Sequence, residues 1–265
     1  MTPPTFEIVG ADVREGALIR DVRIAAPEGG GDAPIEAYLI EPEVVDGRTS
    51  RPGLLFAHWF DTEAPNGNRT EYVDEAADWA RRHRAAAILP QLTFPWQADP
   101  TGSEHDHARV LGEVARLRRC LDVVAARPAV DAARIGVVGH DFGGMHAALL
   151  ASADRRPAAY VMIAAVPRWG DWFLPFWAIS EDRSDYLRAM REVDPIEHVG
   201  EAAPARILFQ LGERDFYVAL MAGYEFQRAA GETAERKTYD AGHELDIPQA
   251  LADRTAFLQG ILVPG

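Results

Sequence analysis

Three side chains in this sequence could carry out covalent chemistry together. Asp141 stands in the hexapeptide Gly139-His140-Asp141-Phe142-Gly143-Gly144, Asp215 closes Leu211-Gly212-Glu213-Arg214-Asp215, and His243 sits in Asp240-Ala241-Gly242-His243-Glu244. The hexapeptide follows the apolar run Ile135-Gly136-Val137-Val138 and precedes a helical pattern that begins at Met145. A strand, a sharp turn and a helix, with small residues two before and two after a central reactive group, is the geometry of a nucleophile elbow. The glycines stand where the turn leaves no room for side chains.

The central residue is Asp rather than Ser, and this changes the chemistry. A carboxylate at a helix N-terminus is expected to be ionised, helped by the dipole and by free backbone N–H groups, and to attack unaided. Attack on an ordinary ester gives an anhydride and expels an alkoxide more basic than the carboxylate by roughly 11 to 12 pKa units. At about 1.4 kcal/mol per unit, that mismatch favours return to substrate. An sp³ carbon bearing a halide or a strained epoxide oxygen avoids the problem. Displacement there yields an alkyl ester of Asp141, which His243 can hydrolyse by activating water while Asp215 orients the imidazole.

The elements that must position these groups read as one large α/β domain over residues 1–265. Ala17 to Ala25 and Ile35 to Glu41 alternate apolar and polar residues, as an antiparallel edge would, around the turn-rich stretch Pro27 to Asp32. From about residue 53 strands and helices alternate, the pattern of a parallel sheet covered on both faces. Strands are expected at Gly53 to His58, Ala86 to Pro90, Arg134 to Gly139, Ala159 to Ala164, Arg206 to Gln210 and Arg236 to Tyr239. Helices are expected at Arg69 to Arg82, Ser103 to Ala126 and Pro248 to Leu258, besides the elbow helix. Residues 167–203 break this rhythm. They hold Trp169, Trp172, Phe173, Phe176, Trp177 and Tyr186, and three of the chain's six tryptophans fall within nine residues. A long aromatic insertion between two strands reads as a cap over a pocket.

On these residues the chain resembles the α/β-hydrolase fold along nearly its whole length. The order of nucleophile, acid and histidine matches it, and all three residues fall at carboxyl ends of strands. The run Asp131-Ala132-Ala133-Arg134-Ile135-Gly136-Val137-Val138-Gly139-His140 is similar to the dienelactone-hydrolase-like branch. The resemblance implies a mostly parallel eight-stranded sheet with helices on both faces and a small aromatic-rich cap. It also implies an oxyanion hole made by the backbone N–H of Phe142 and one from the loop His58-Trp59-Phe60-Asp61. Trp59 stands there where the family has glycine. Its backbone N–H is expected to serve, or its indole N–H to contact substrate. The Asp elbow resembles haloalkane dehalogenases and epoxide hydrolases. The former carry Trp directly after the nucleophile, where this chain has Phe142. The latter raise two cap tyrosines, where this cap offers Tyr186. His58, Trp169, Trp172, Trp177 and Tyr186 are the expected pocket residues, with Asp61 and Glu63 at its entrance.

Two other readings of Asp141 stay open. It could serve as the general base of a cofactor-free lyase, isomerase or cyclase. It could also belong to an inactive homologue that binds a ligand without turnover. The remaining candidates have plainer readings. His105-Asp106-His107 invites a metal, but residues two apart in a helix point away from each other, and a solvated helix start is expected. His140 and His146 are expected to be buried or supporting. Cys120 lies among Leu117, Leu121 and Val124 as a core thiol. Asp194 is a rival to Asp215 as partner of the histidine, and Arg81-Arg82-His83-Arg84 reads as a solvated helix end.

Composition bounds the rest. The net charge of -14, with no basic cluster to offset it, argues against a nucleic-acid partner. One cysteine permits no intramolecular disulfide. The N-terminus lacks a signal-peptide pattern, and no apolar run is long enough to span a bilayer. The expectation is a cytoplasmic monomer or homodimer acting on a small molecule, with no metal, cofactor or membrane association.

Overall fold

The structure, a computed structural model, describes residues 4–29, 31, 33–45, 47, 49–60, 64–65, 67–93 and 101–263. Asp61 and Glu63 lie outside the described residues.

Nine strands among the described residues form one sheet: Phe6–Arg14 (β1), Ala17–Ile24 (β2), Ile35–Pro42 (β3), Arg51–Ala57 (β4), Ala86–Pro90 (β5), Val130–His140 (β6), Pro157–Ile163 (β7), Arg206–Gly212 (β8) and Ala234–Tyr239 (β9). Their order is β1-β2-β3-β5-β4-β6-β7-β8-β9. The β1–β2, β2–β3 and β3–β5 pairs are antiparallel, and the five remaining pairs are parallel. The α/β architecture expected from the alternating pattern is present, with one strand more than the eight expected. The extra strand is β1, whose sequence FEIVGADVR is exposed at every position after Phe6. An edge strand with no buried face has no apolar periodicity to betray it. Its backbone pairing with β2, bulged between Ile8 and Gly10, is what holds it.

The central strands follow the opposite logic. β4 and β5 are buried throughout, as parallel strands covered on both faces must be. β4 starts at Arg51, two residues before the apolar run. That arginine is buried because Glu41 of β3 takes its Nη2 at 2.6 Å and the Pro128 carbonyl takes its Nε at 2.8 Å. Arg20 (2.7 Å) and Arg127 (2.9 Å) complete the cluster on Glu41. Burial alone would push this carboxyl up, but the arginines Arg127 and Arg51 overcome it and hold it below its ordinary range.

The helices are Val73–His83 (α1), Ser103–Ala125 (α2), Phe142–Ala153 (α3), Trp169–Phe176 (α4), Arg183–Met190 (α5), Pro195–His198 (α6), Leu220–Ala229 (α7) and Pro248–Leu262 (α8). α1 and α8 lie on one face of the sheet, tied by the Arg254–Glu75 ion pair at 2.8 Å. α2, α3 and α7 lie on the other. α3 is buried almost end to end. The segment 167–203 forms α4, α5, α6 and two short 3₁₀ turns between β7 and β8. Among the described residues no helix is long and apolar enough to cross a membrane.

Candidate active site

β6 drives straight into the elbow, and local sterics explain its sequence. A Cβ on Gly139 would lie 2.4 Å from the Gly143 carbonyl oxygen, and one on Gly143 would lie 2.2 Å from that of Ala57. Only glycine lets strand, turn and neighbouring strand approach this closely. At the apex Asp141 adopts φ 52° and ψ -117°, a conformation that costs a non-glycine residue about 1–3 kcal/mol. Two backbone bonds fix it: Asp141 N–H donates to the Ile163 carbonyl (2.8 Å), and its own carbonyl accepts from Met145 N–H (2.9 Å). The side chain is thereby pushed out of the turn into a fully buried site.

Asp215 follows β8 and His243 follows β9, and the two loops are laced together by Glu213 N–H to the Tyr239 carbonyl (2.8 Å) and Arg214 N–H to that of Ala241 (3.0 Å). His243 Nδ1 lies 2.9 Å from Asp215 Oδ2. Asp215 Oδ1 accepts the N–H groups of Tyr217 (2.8 Å) and Val218 (2.9 Å), so the carboxylate is locked in orientation. With Nδ1 donating to that carboxylate, Nε2 is left with its lone pair. Among the described residues neither the buried Nε2 nor the buried Asp141 Oδ1 has a hydrogen-bond partner. The other rival acid, Asp194, accepts Trp169 N–H at 3.0 Å instead of meeting His243.

Asp141 Oδ2 accepts the Phe60 N–H at 3.3 Å. Burial pushes its carboxyl up to about 7, against the opposing pull of His243 and of the Phe60 and Phe142 N–H groups. The expectation of a fully ionised carboxylate is therefore corrected: loss of hydration outweighs the helix N-terminus.

The expected second oxyanion donor is also corrected. Trp59 N–H donates to Glu71 Oε2 at 2.9 Å, so it is not open to the site, and Phe60 N–H is the donor that faces Asp141. The Trp59 indole stacks on His140 (5.4 Å between ring centroids, 15° between planes) and leans on His243 at 5.9 Å.

Of the expected pocket residues, His58 and Tyr186 are engaged elsewhere. His58 is buried. Its Nδ1–H donates to the Trp59 carbonyl (2.6 Å) and its Nε2 accepts Leu92 N–H (3.0 Å), which staples the loops after β4 and β5. Burial holds its pKa low, consistent with that neutral tautomer. Tyr186 is buried and donates to Asp106 Oδ2 (2.9 Å), pinning α5 to α2. Trp169 is buried behind Phe142, its Nε1–H donating to the Val193 carbonyl (2.7 Å). Trp172 is packed against the candidate groups: its ring lies 5.3 Å from that of Phe142 and 5.9 Å, edge-on, from that of His243, and its buried Nε1–H has no hydrogen-bond partner among the described residues. Trp177 is half-buried against Phe173 and Phe60.

Sequence reasoning missed Tyr217, whose ring sits 5.1 Å from His243 and stacks on Trp172. Its signal was the aromatic pair Phe216-Tyr217 directly after the acid. It also missed Phe60 and Glu71, which carry no local signal. His105 is exposed, and among the described residues no group of three or more His, Cys, Asp or Glu could hold a metal ion. Cys120 is buried, and burial pushes its thiol far up.

No protein-family model matches the sequence, and no curated protein matches it either. Solved structures do. An acetyl xylan esterase from Paenibacillus sp. R4 superposes with a TM-score of 0.74 at 18% identity, covering 98% of this chain and 89% of its own. Acetyl xylan esterase 1 from Thermoanaerobacterium sp. JW/SL YS485 gives 0.71 at 14% identity, with the same coverages of 98% and 89%. A protein assigned as a dienelactone hydrolase, from Klebsiella pneumoniae subsp. pneumoniae, gives 0.62 at 17% identity over 88% of this chain and 95% of its own. At such identities the likeness speaks for architecture. Taken with the elbow between β6 and α3 and the sheet order around it, it shows that this chain has the α/β-hydrolase fold.

Proposed function

We propose that the chain is a hydrolase that works through a covalent ester of Asp141. The observation that carries this reading is the division of labour at the carboxyl group: Oδ2 is held by Phe60 N–H, while Oδ1 is buried with no hydrogen-bond partner among the described residues. In the first step Oδ1 attacks an sp³ carbon, and the carbon–oxygen bond forms as the leaving group departs with its electron pair. Oδ2 becomes the ester carbonyl oxygen. In the second step His243 Nε2 takes a proton from water as the water oxygen attacks Cγ. Phe60 and Phe142 N–H stabilise the charge that develops on Oδ2. Collapse breaks the Cγ–Oδ1 bond, and the imidazolium, paired with Asp215, protonates the departing alkoxide. Asp141 is restored.

An alkyl halide or epoxide suits this better than a simple ester. Even for a carboxyl near 7, an alkoxide of pKa about 16 remains on the order of 12 kcal/mol too basic to expel by forming an anhydride. Phe60, Phe142, Trp172 and Tyr217 favour a small apolar substrate. The Trp172 N–H is a donor available to a departing halide or oxygen. In this proposal 167–203 acts as the cap that carries it.

One observation favours a second reading. A carboxyl near 7 is matched to proton transfer at neutral pH, so Asp141 as general base of a lyase, isomerase or cyclase is the alternative.

The test is His243→Ala incubated with 1,2-dibromoethane and with styrene oxide, followed by intact-mass and peptide analysis. The expected result is a stable alkyl adduct on the peptide that contains Asp141. Turnover of these compounds by the wild type, with no adduct in the variant, refutes the covalent route. Turnover of p-nitrophenyl esters alone refutes the substrate class.

A further inference from the structure

Behind the reacting groups lies a second carboxylate–imidazole pair. Glu71, in the turn before α1, reaches two separate parts of the site. Its Oε2 accepts Trp59 N–H (2.9 Å), and its Oε1 lies 2.8 Å from His140 Nδ1. His140, the residue before Asp141, then donates Nε2–H to the backbone carbonyl of His243 (3.0 Å). His140 is 1% exposed and Glu71 11% at the side chain. Both nitrogens of His140 thus face oxygen. Nε2 must carry a proton because a carbonyl only accepts, so one further proton is shared between Nδ1 and Glu71.

We propose that Glu71 and His140 are positioning residues: one largely buried carboxylate–imidazole pair aims the Phe60 N–H at Asp141 and anchors the backbone of the catalytic histidine. Trp59 N–H held by Glu71 sets the peptide plane before Phe60, and the next N–H in the chain is the one that meets Asp141 Oδ2. The contact from His140 crosses 103 residues of sequence to tie down the backbone of His243. The stacked Trp59 indole fixes the plane of the His140 ring. A single side chain therefore couples the oxyanion donor to the general base. Simple burial would not require a charged group to do this.

The inference rests on reading Asp141 and His243 as the reacting groups, but its test needs no turnover. The ¹³Cγ signal of Asp141, assigned by its loss in Asp141→Asn, is titrated in the wild type, Glu71→Asp and Glu71→Gln. Glu71→Asp keeps the charge and loses the reach. Glu71→Gln keeps the reach and loses the charge, since its amide can accept from Trp59 and donate to His140 Nδ1. Among the described residues the titratable groups that act on Asp141, His243 and Asp215, are unchanged in both. The expected result is a midpoint in Glu71→Asp about one pH unit above the wild type, the size of one lost hydrogen bond to a charged group. In Glu71→Gln the midpoint is expected to stay or fall. His140→Phe keeps the stacked ring and deletes both nitrogens. It is expected to raise the midpoint as well, and it decides the matter should Glu71→Asp fail to fold. Midpoints in Glu71→Asp and His140→Phe equal to the wild type overturn the proposal. So does a fall in Glu71→Gln with no rise in the other two, which would mark a purely electrostatic role. Failure to trap an alkyl ester in His243→Ala leaves these titrations untouched, so the two claims stand or fall separately.

Discussion

Replacing Asp141 by Asn should stabilise the protein, and by an amount that depends on pH. Asn has the same shape, tolerates φ 52° nearly as well as Asp, and never ionises. Burial raises the Asp141 carboxyl from 3.8 in the unfolded chain to about 7 in the folded one. Below 3.8 the group is protonated in both states and costs nothing. As pH climbs from there to about 7 the unfolded chain releases the proton while the folded protein retains it, so stability drains away. At about 1.4 kcal/mol per pH unit the full loss is about 4 kcal/mol, complete above neutrality. Asn avoids this loss. Urea unfolding of both proteins between pH 5 and 8 should show the variant ahead by about 2 kcal/mol at pH 5 and about 4 kcal/mol at pH 8. A gap that stays flat with pH, or a variant less stable than the wild type at pH 8, refutes the reasoning that burial dominates this group.

Other perturbations test other parts of the account. Glu41→Gln removes the carboxylate that pairs with buried Arg51 and with Arg20 and Arg127, and should cost about 3–5 kcal/mol in denaturant unfolding. The wild type should also lose stability as pH falls through the lowered Glu41 value, a slope the variant should lack; equal slopes would contradict it. Tyr186→Phe should cost about 1–3 kcal/mol through the Asp106 it leaves, with kcat unchanged; a fall in kcat would return Tyr186 to the pocket. Gly143→Ala should abolish turnover and lower Tm sharply, because its Cβ would meet the Ala57 carbonyl at 2.2 Å. Trp172→Phe keeps an aromatic ring at the position but deletes the N–H with the pyrrole half of the indole, and should lower kcat on alkyl halides while leaving Tm within a few degrees; an unchanged kcat removes Trp172 from the leaving-group role.

Much of the fold was legible in the sequence because its signals are local. Buried parallel strands announce themselves as apolar runs, and the elbow announces itself through glycines that steric contact demands. Asp215 and His243 could be placed at strand ends for the same reason. What escaped depends on partners distant in sequence. β1 has no buried face, so nothing in its side chains marks it as a strand. Trp59 N–H looked available because Glu71, which takes it, lies 12 residues on in a turn with no motif. His58 and Tyr186 looked like pocket residues until Leu92 and Asp106 claimed their polar atoms. The raised Asp141 carboxyl was misjudged because a helix N-terminus is visible in sequence, whereas complete desolvation is a property of everything packed around it.

The central claim is that Asp141 is the nucleophile, and a single turnover in H₂¹⁸O tests it most directly. With enzyme in excess over 1,2-dibromoethane or an epoxide that the wild type converts, the expected result is ¹⁸O in the peptide containing Asp141 and unlabelled oxygen in the first product formed. Product labelled in the first turnover, with Asp141 unlabelled, would show water attacking the substrate directly and would contradict the covalent mechanism.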